Sequence, residues 1–256
     1  MSKPVTSEYS CALQPRIGQS PQGQPTRYWA HPCALTESRC VGNDTRVWAF
    51  AHLLNGAMIG AECNLGDHCF VESGVRVGDR VTLKNGVALW HGVTLEDDVF
   101  VGPDVSFTND PRPRAFQRVA PESLSATQVE RGATLGAHAT ILCGRRVGRF
   151  AFVAAGAVVT HNVAPHALVM GNPARRTAWI CGCTQRLARK RAGRWVCPGC
   201  TTLFVEDGGR LAPVPDALAL WMSGGVATGE PATAPHASGA RSNSSMRPAR
   251  PRPGRL

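Results

Sequence analysis

Residues 41–106 read VGNDTR-VWAFAH-LLNGAM-IGAECN-LGDHCF-VESGVR-VGDRVT-LKNGVA-LWHGVT-LEDDVF-VGPDVS, eleven hexapeptides with no remainder, each opening on an aliphatic residue. A second run in its own register, from Val129 to Ala164, adds six more, opening at Val129, Leu135, Ile141, Val147, Val153 and Val159. The fourth position is Gly at 56, 74, 86, 92, 132, 144 and 156, and Asp, Asn or His at 44, 68, 98, 104, 138 and 162. A chain that turns a corner every six residues needs φ > 0 there; Gly has no Cβ to clash, and Asn, Asp and His tolerate the region better than most. The fifth position is small or β-branched from Thr45 to Val163, with the single exception of Arg145. That is the pattern of a parallel β-helix, all-β, in which each coil buries its apolar face only against its neighbours.

Between the two runs, residues 107–128 (FTNDPRPRAFQRVAPESLSATQ) lack the period. Excursions of this length inside a compact repeat array are usually functional. If three hexads make one coil, residues 18 apart stack, so Asn109 lies on the corner that presents Trp90 and His91.

The ends differ from the centre. Residues 1–27 are polar and rich in Pro, Gln and Ser, which predicts a flexible leader, and residues 28–175 form the solenoid domain, with Leu35 one hexad ahead of Val41 in an irregular first coil. Residues 176–211 hold Cys181, Cys183, Cys197 and Cys200 as C-x-C, thirteen residues, then C-x-x-C. Four soft thiolates in two close pairs suit tetrahedral Zn²⁺ in a small zinc-ribbon-like module. Residues 212–256 are expected to be a flexible basic tail. Cys63, Cys69 and Cys143 fall within hexads and read as buried reduced thiols.

Net charge is +10 over 256 residues, but residues 223–256 carry five Arg against one Glu. No basic helix or aromatic-interleaved patch points to nucleic acid. No stretch approaches membrane-spanning length and the N-terminal segment has no continuous apolar core, so a cytoplasmic protein without a membrane partner is expected.

The words VTLKNGVALWHGVTLEDDVFVGPDVSFTND, RGATLGAHATILCG, FVAAGAVVT and GNPARR resemble the left-handed β-helix N-acyltransferases of nucleotide-linked amino sugars, over roughly residues 30–205. Two branches are similar. GNPARR with the WICGC and CPGC segments resembles the UDP-2-acetamido-3-amino-2,3-dideoxyglucuronate N-acetyltransferases; ALWHGVTLEDDVFVGP with FTND and Pro113-Arg114 resembles the dTDP-3-amino-3,6-dideoxyhexose N-acetyltransferases. The resemblance implies a homotrimer with acetyl-CoA between neighbouring solenoids, acetylating the amine, at C3, of a nucleotide-linked amino sugar for surface polysaccharide, the UDP-uronate being the expected substrate. On it, Asn85 positions the amine or the acyl oxygen and His91 accepts the amine proton. Trp90, Asn109, Arg112 and Arg114 contact the sugar nucleotide; Ala155, Gly156 and Ala157 line the pantetheine arm, and Arg175 and Arg176 meet CoA phosphates. Trp48-Ala49-Phe50 departs from the family's Trp-His-Phe. Two other classes remain open to comparison: a noncatalytic β-helix that assembles through its Cys module and tail, and a zinc hydratase on the same solenoid, for which His52, His68 and His91 lack a closely spaced pair.

Overall fold

In the computed structural model, residues 12–20, 22–117, 119–120 and 123–214 are described. Residues 1–11 of the expected leader and 215–256 of the expected tail lie outside them. Every hexad opener is shielded from solvent, from Val41 and Leu53 at 0 % to Val77 at 5 %. Fully burying such a side chain stabilises by about 1.5–3 kcal/mol, and the contribution is collective because the covering atoms belong to the coils on either side.

Short strands stack into three walls, with partners 18 residues apart: Asn64–Leu65 on Thr82–Leu83 on Phe100–Val101 in the first wall, Phe70–Val71 on Ala88–Leu89 in the second, and Met58–Ile59 on Arg76–Val77 on Val93–Leu95 in the third. The corners adopt the left-handed backbone region as expected except at Asn162, where the last coil leaves the regular register and Val163 pairs with Val147. Asp44, His68, Asp98, Asp104 and His138 have φ of 55–61°, and the seven corner glycines have φ of 67–87°. Phe50, Glu62, Arg80 and Phe150 do so as well, which their side chains alone do not suggest. Phe50 stacks on His68 of the next coil at 5.0 Å, and Arg80 donates to Asp98 at 2.6 Å, contacts that offset the backbone strain.

Three boundaries differ from expectation. The strand Gln14–Gln19, inside the expected leader, pairs antiparallel with Pro25–Ala30, which joins the first wall through Trp29↔Arg46. This hairpin covers strand edges that would otherwise stand open at that end. Leu35 pairs with His52 and Thr36 with Leu53, so Leu35 faces outward, 61 % exposed; a one-residue shift in register exchanges the two faces of a strand. The excursion is shorter than 107–128: Phe107 is a buried strand residue paired with Ile141, and Thr127–Val129 is again a strand. Across it, Thr94 pairs with Gln128, 34 residues apart instead of 18, so this corner holds 16 additional residues.

At the far end Ala167–Met170 turns back antiparallel into Arg175–Trp179, and the chain continues as a four-stranded antiparallel sheet from Ala188–Arg189 to Arg210–Pro213. His166 joins the two parts. Its ring stacks on Phe150 at 5.3 Å and meets the edge of Phe204 at 5.0 Å, and burial first of all pushes its pKa down to about 4, so it sits neutral against the Ile180 carbonyl. Among the described residues no helix is long and apolar enough to cross a membrane.

Candidate active site

The hexad places each candidate on one of three edges of the prism. Asn85 is the third residue of its hexad, on the edge between the first and second walls; His91, six residues on, is on the next edge, between the second and third. The strand Ala88–Leu89 separates them, and one chain does not bring them together.

His91 is held from three sides. Its backbone N–H donates to Glu72 Oε2 at 2.7 Å, its Nδ1 lies 2.9 Å from the Ser73 carbonyl, and its ring covers Gly74. A carbonyl only accepts, so Nδ1 carries the proton and Nε2 is left as the acceptor. Trp90 packs on Phe70 at 5.4 Å and supplies an apolar, half-buried shoulder beside the ring.

Asn85 has less freedom than its type suggests. Its Oδ1 accepts the Asp67 N–H at 3.2 Å, in a space where a Cβ on Gly66 would come within 2.4 Å. With Oδ1 so engaged, Nδ2 is the group that can donate to an oxyanion, and a neutral amide is too weak a base to accept an amine proton.

The excursion leaves and returns at the His91 edge. Its base is tied by Ser125 N–H to the Asn109 carbonyl at 3.0 Å, by Cys143 N–H to Thr108 Oγ1 at 2.9 Å and by Thr127 N–H to the Gly92 carbonyl at 3.1 Å. Asn109 therefore lies at the foot of the loop on the His91 edge. Arg112 and Arg114 stand exposed further out, and neither guanidinium has an acidic partner among the described residues.

The residues expected to line the pantetheine arm divide. Ala155 and Gly156 are an exposed corner on the same edge as Asn85, three coils away, or roughly 14 Å at about 4.8 Å per strand. Ala157 is not available: its side chain is 1 % exposed, its N–H goes to the Ala154 carbonyl and its carbonyl receives the Thr140 N–H. Fifth-position residues point into the core, and this one follows the rule. Arg175 is exposed; it pairs with Met170 on the first wall and lines a cleft of about 410 Å³ at the end of the solenoid, with His161, Asn162 and Val169. Arg176 lines the same cleft but is held by other contacts. Its guanidinium lies 4.0 Å from the Trp179 ring and 3.5 Å from Glu206, where it ties the returning hairpin to the Cys module.

Cys181, Cys183, Cys197 and Cys200 converge, all four Sγ atoms lying within 4.8 Å of one another. Tetrahedral Zn–S bonds of about 2.3 Å place sulfurs roughly 3.8 Å apart, close to the 3.5 Å of Cys181–Cys200 and the 3.3 Å of Cys183–Cys197. Burial raises the Cys181 thiol and brings Cys183 up to about 11; at Cys200 burial is outweighed by Thr202 and the neighbouring thiols, which bring it down to about 7. The donor set fits a structural zinc ion. By contrast burial pushes the interior thiols up, Cys63 to about 11 and Cys69 to about 12, and both act as small core residues.

Sequence reading missed Glu72, Ser73 and Gly74, the supports of His91, because each is an ordinary hexad residue. It registered Arg145 only as an exception.

The profile of the hexapeptide repeat of succinyl-transferase matches residues 56–90 and 127–161. The chain is 48% identical over 159 residues, 62% of its length and 82% of the relative's, to the dTDP-3-amino-3,6-dideoxy-alpha-D-galactopyranose 3-N-acetyltransferase of Aneurinibacillus thermoaerophilus. It is 47% identical over 57 residues to the 2,3,4,5-tetrahydropyridine-2,6-dicarboxylate N-acetyltransferase of Staphylococcus aureus, 22% of this chain and 24% of that one. A solved hexapeptide-repeat acetyltransferase of Vibrio cholerae, complexed with acetyl coenzyme A, aligns at 25% identity over 48% of this chain and 70% of that one, with a TM-score of 0.43. Stacked hexads, left-handed corners and a relative matched over most of its length make this chain a left-handed parallel β-solenoid belonging to the hexapeptide-repeat N-acetyltransferases.

Proposed function

We propose that the chain transfers an acetyl group from acetyl-CoA to the amine of a dTDP-linked 3-amino-3,6-dideoxyhexose. The observation that carries this reading is the 48% identity to an enzyme named for such a sugar, over 82% of that enzyme. It reverses the order expected from the GNPARR and cysteine segments, which favoured the UDP-uronate.

The chemistry follows from the two side chains. The neutral amine attacks the thioester carbonyl and a C–N bond forms. Negative charge gathers on the carbonyl oxygen, where Asn85 Nδ2 donates, and His91 Nε2 takes the amine proton. Collapse breaks the C–S bond, and the departing thiolate recovers the proton. Asn109, Arg112 and Arg114, on the excursion, would hold the sugar nucleotide.

Asn85 and Ala155–Gly156 share one edge, while His91 is on the next. A homotrimer that sets the first edge of one copy against the second edge of its neighbour would reunite the catalytic pair. The Cys module would hold one structural zinc ion and close the end of the solenoid.

The test is thiol release from acetyl-CoA by the purified protein, in parallel with dTDP-3-amino-3,6-dideoxygalactose and UDP-2-acetamido-3-amino-2,3-dideoxyglucuronate. Turnover with the dTDP sugar is expected, with kcat lowered about 10²–10⁴-fold by His91→Asn. Turnover with the UDP sugar alone would overturn the substrate, and silence with both would overturn the reading. A His91→Asn variant within twofold of wild type would remove His91 from the proton transfer.

A further inference from the structure

On the third-wall flank of the His91 edge lies a cleft of about 430 Å³, lined by Gly92, Thr94, Ala126, Thr127, Gln128, Gly144, Arg145, Arg146 and Asn162. Most of its polar side chains are already satisfied. Gln128 donates to Glu96 at 2.9 Å, Arg146 pairs with Glu130, and Asn162 accepts the Arg146 N–H at 2.9 Å. Arg145 and Thr127 differ. Arg145 Nε and Thr127 Oγ1 are both buried and both without a hydrogen-bond partner, and Thr127 is only 1 % exposed.

The two residues occupy adjacent coils at the same place in the hexad, as Gln128 pairs with Arg146 directly after them. It is the fifth, inward position. On this edge the same column carries Ala57, Val75 and Val93 in the preceding coils, all buried, while Val163 of the following coil stacks on Val147 instead. A cation in an apolar column costs stability, and a buried polar atom without a partner costs more. Arg145 is half-buried, and neither its Nε nor the Thr127 hydroxyl makes a hydrogen bond that a valine would lose. Two such departures side by side, opening on one cleft at the foot of the excursion, mark a place where a partner arrives from outside.

We propose that this cleft is an oxyanion subsite for the acceptor, in which Arg145 swings outward from the column so that its guanidinium, with the Thr127 hydroxyl, meets an acidic group of the sugar nucleotide. A planar fork of N–H donors and one hydroxyl match a phosphate or a carboxylate, and nothing on the cleft other than Arg146 competes for that role. The acceptor, and not CoA, is the ligand because the cleft adjoins the excursion through Ala126, whereas the cleft that holds Arg175, which it meets at Asn162, has no excursion residue in its lining. Only the identity of the ligand rests on the acetyltransferase reading; the anion site itself does not. Two acidic groups share this chemistry, the diphosphate of the nucleotide and a carboxylate on the sugar.

The experiment compares wild type with Arg145→Val and Thr127→Val. Thermal shift with inorganic pyrophosphate, dTDP and glucuronate reads binding without catalysis. Arg145→Val is expected to melt at or above the wild-type temperature, since it restores the residue type of its column, and to lose the shift that one of these probes gives wild type. A shift with pyrophosphate and dTDP assigns the diphosphate; a shift with glucuronate alone assigns the carboxylate. In turnover, Arg145→Val should raise KM for the acceptor about tenfold or more and leave KM for acetyl-CoA unchanged, with a smaller effect from Thr127→Val. Equal probe shifts in wild type and Arg145→Val, no shift in wild type with any probe, or a lowered melting temperature with unchanged KM would each overturn the proposal. If no acetyl transfer is found, a probe shift that depends on Arg145 still supports the anion site.

Discussion

His91 owes its position to the residue beneath it. A Cβ on Gly74 would stand 2.6 Å from both Nδ1 and Cε1 of the imidazole, and Gly74 itself has φ of 82°. Gly56, one coil earlier, has the same backbone (φ 87°) but its nearest neighbour would be Ser73 Cβ at 3.7 Å. The pair separates strain from displacement. Gly74→Ala and Gly56→Ala should each lose about 1–2 kcal/mol of stability by chemical denaturation, from the left-handed backbone alone. Only Gly74→Ala should lower kcat/KM, by more than tenfold, because only there must the ring move. Equal activities would mean that the ring position does not matter to turnover. At this scale the sequence is partly legible. Glycine at a fourth position announces a left-handed corner, but it does not say which corner also carries a ring from the next coil. The bulky corners Phe50, Glu62, Arg80 and Phe150 were hidden for a related reason: at Phe50 and Arg80 the compensation comes from a residue 18 positions away, invisible to a six-residue rule.

Among elements, the Cys module was legible from spacing, since two close pairs of thiols flanking a hairpin have few other uses. Its attachment was not. Arg176, 3.5 Å from Glu206, and the neutral His166 between Phe150 and Phe204 join module to solenoid through residues with no shared motif. Metal removal should therefore be felt locally. Protein purified without chelators is expected to carry about one zinc per chain, and stripping it under a thiol reagent should expose Trp179 and Trp195, seen as a red shift of tryptophan emission, while the far-ultraviolet signal of the solenoid persists. Protein free of zinc as purified, or stripped protein with unchanged emission, would leave the four thiols without a metal. The N-terminal hairpin escaped notice because it works with backbone. Gln19 N–H reaches the Arg39 carbonyl at 2.7 Å while Ile17 stays 81 % exposed, so Gln14–Gln19 shows no apolar period.

For the whole molecule, the hexad that makes the fold readable also divides the site. Residues six apart in sequence land on different edges, so Asn85 and His91 are near in the chain and apart on its surface. The period shows this separation, but not what brings the two edges together. Complementation tests that. Asn85→Ala and His91→Ala variants, each inactive alone, should recover about a quarter of wild-type activity when unfolded together and refolded as mixed trimers, since one site in four then draws both native residues from neighbours. No recovery would place both residues in one chain's site or remove one of them from the reaction. The excursion carries a separate implication. Its 16 additional residues are pinned at their root, and the ladder resumes in the same walls on the far side: Ser106 still pairs with Thr140 and Phe100 with Thr134. The loop is thus a cassette plugged into a continuous rack. Natural relatives or a designer can lengthen, shorten or exchange it without disturbing the coils around it, so acceptor preference can diverge quickly over a scaffold that hardly changes.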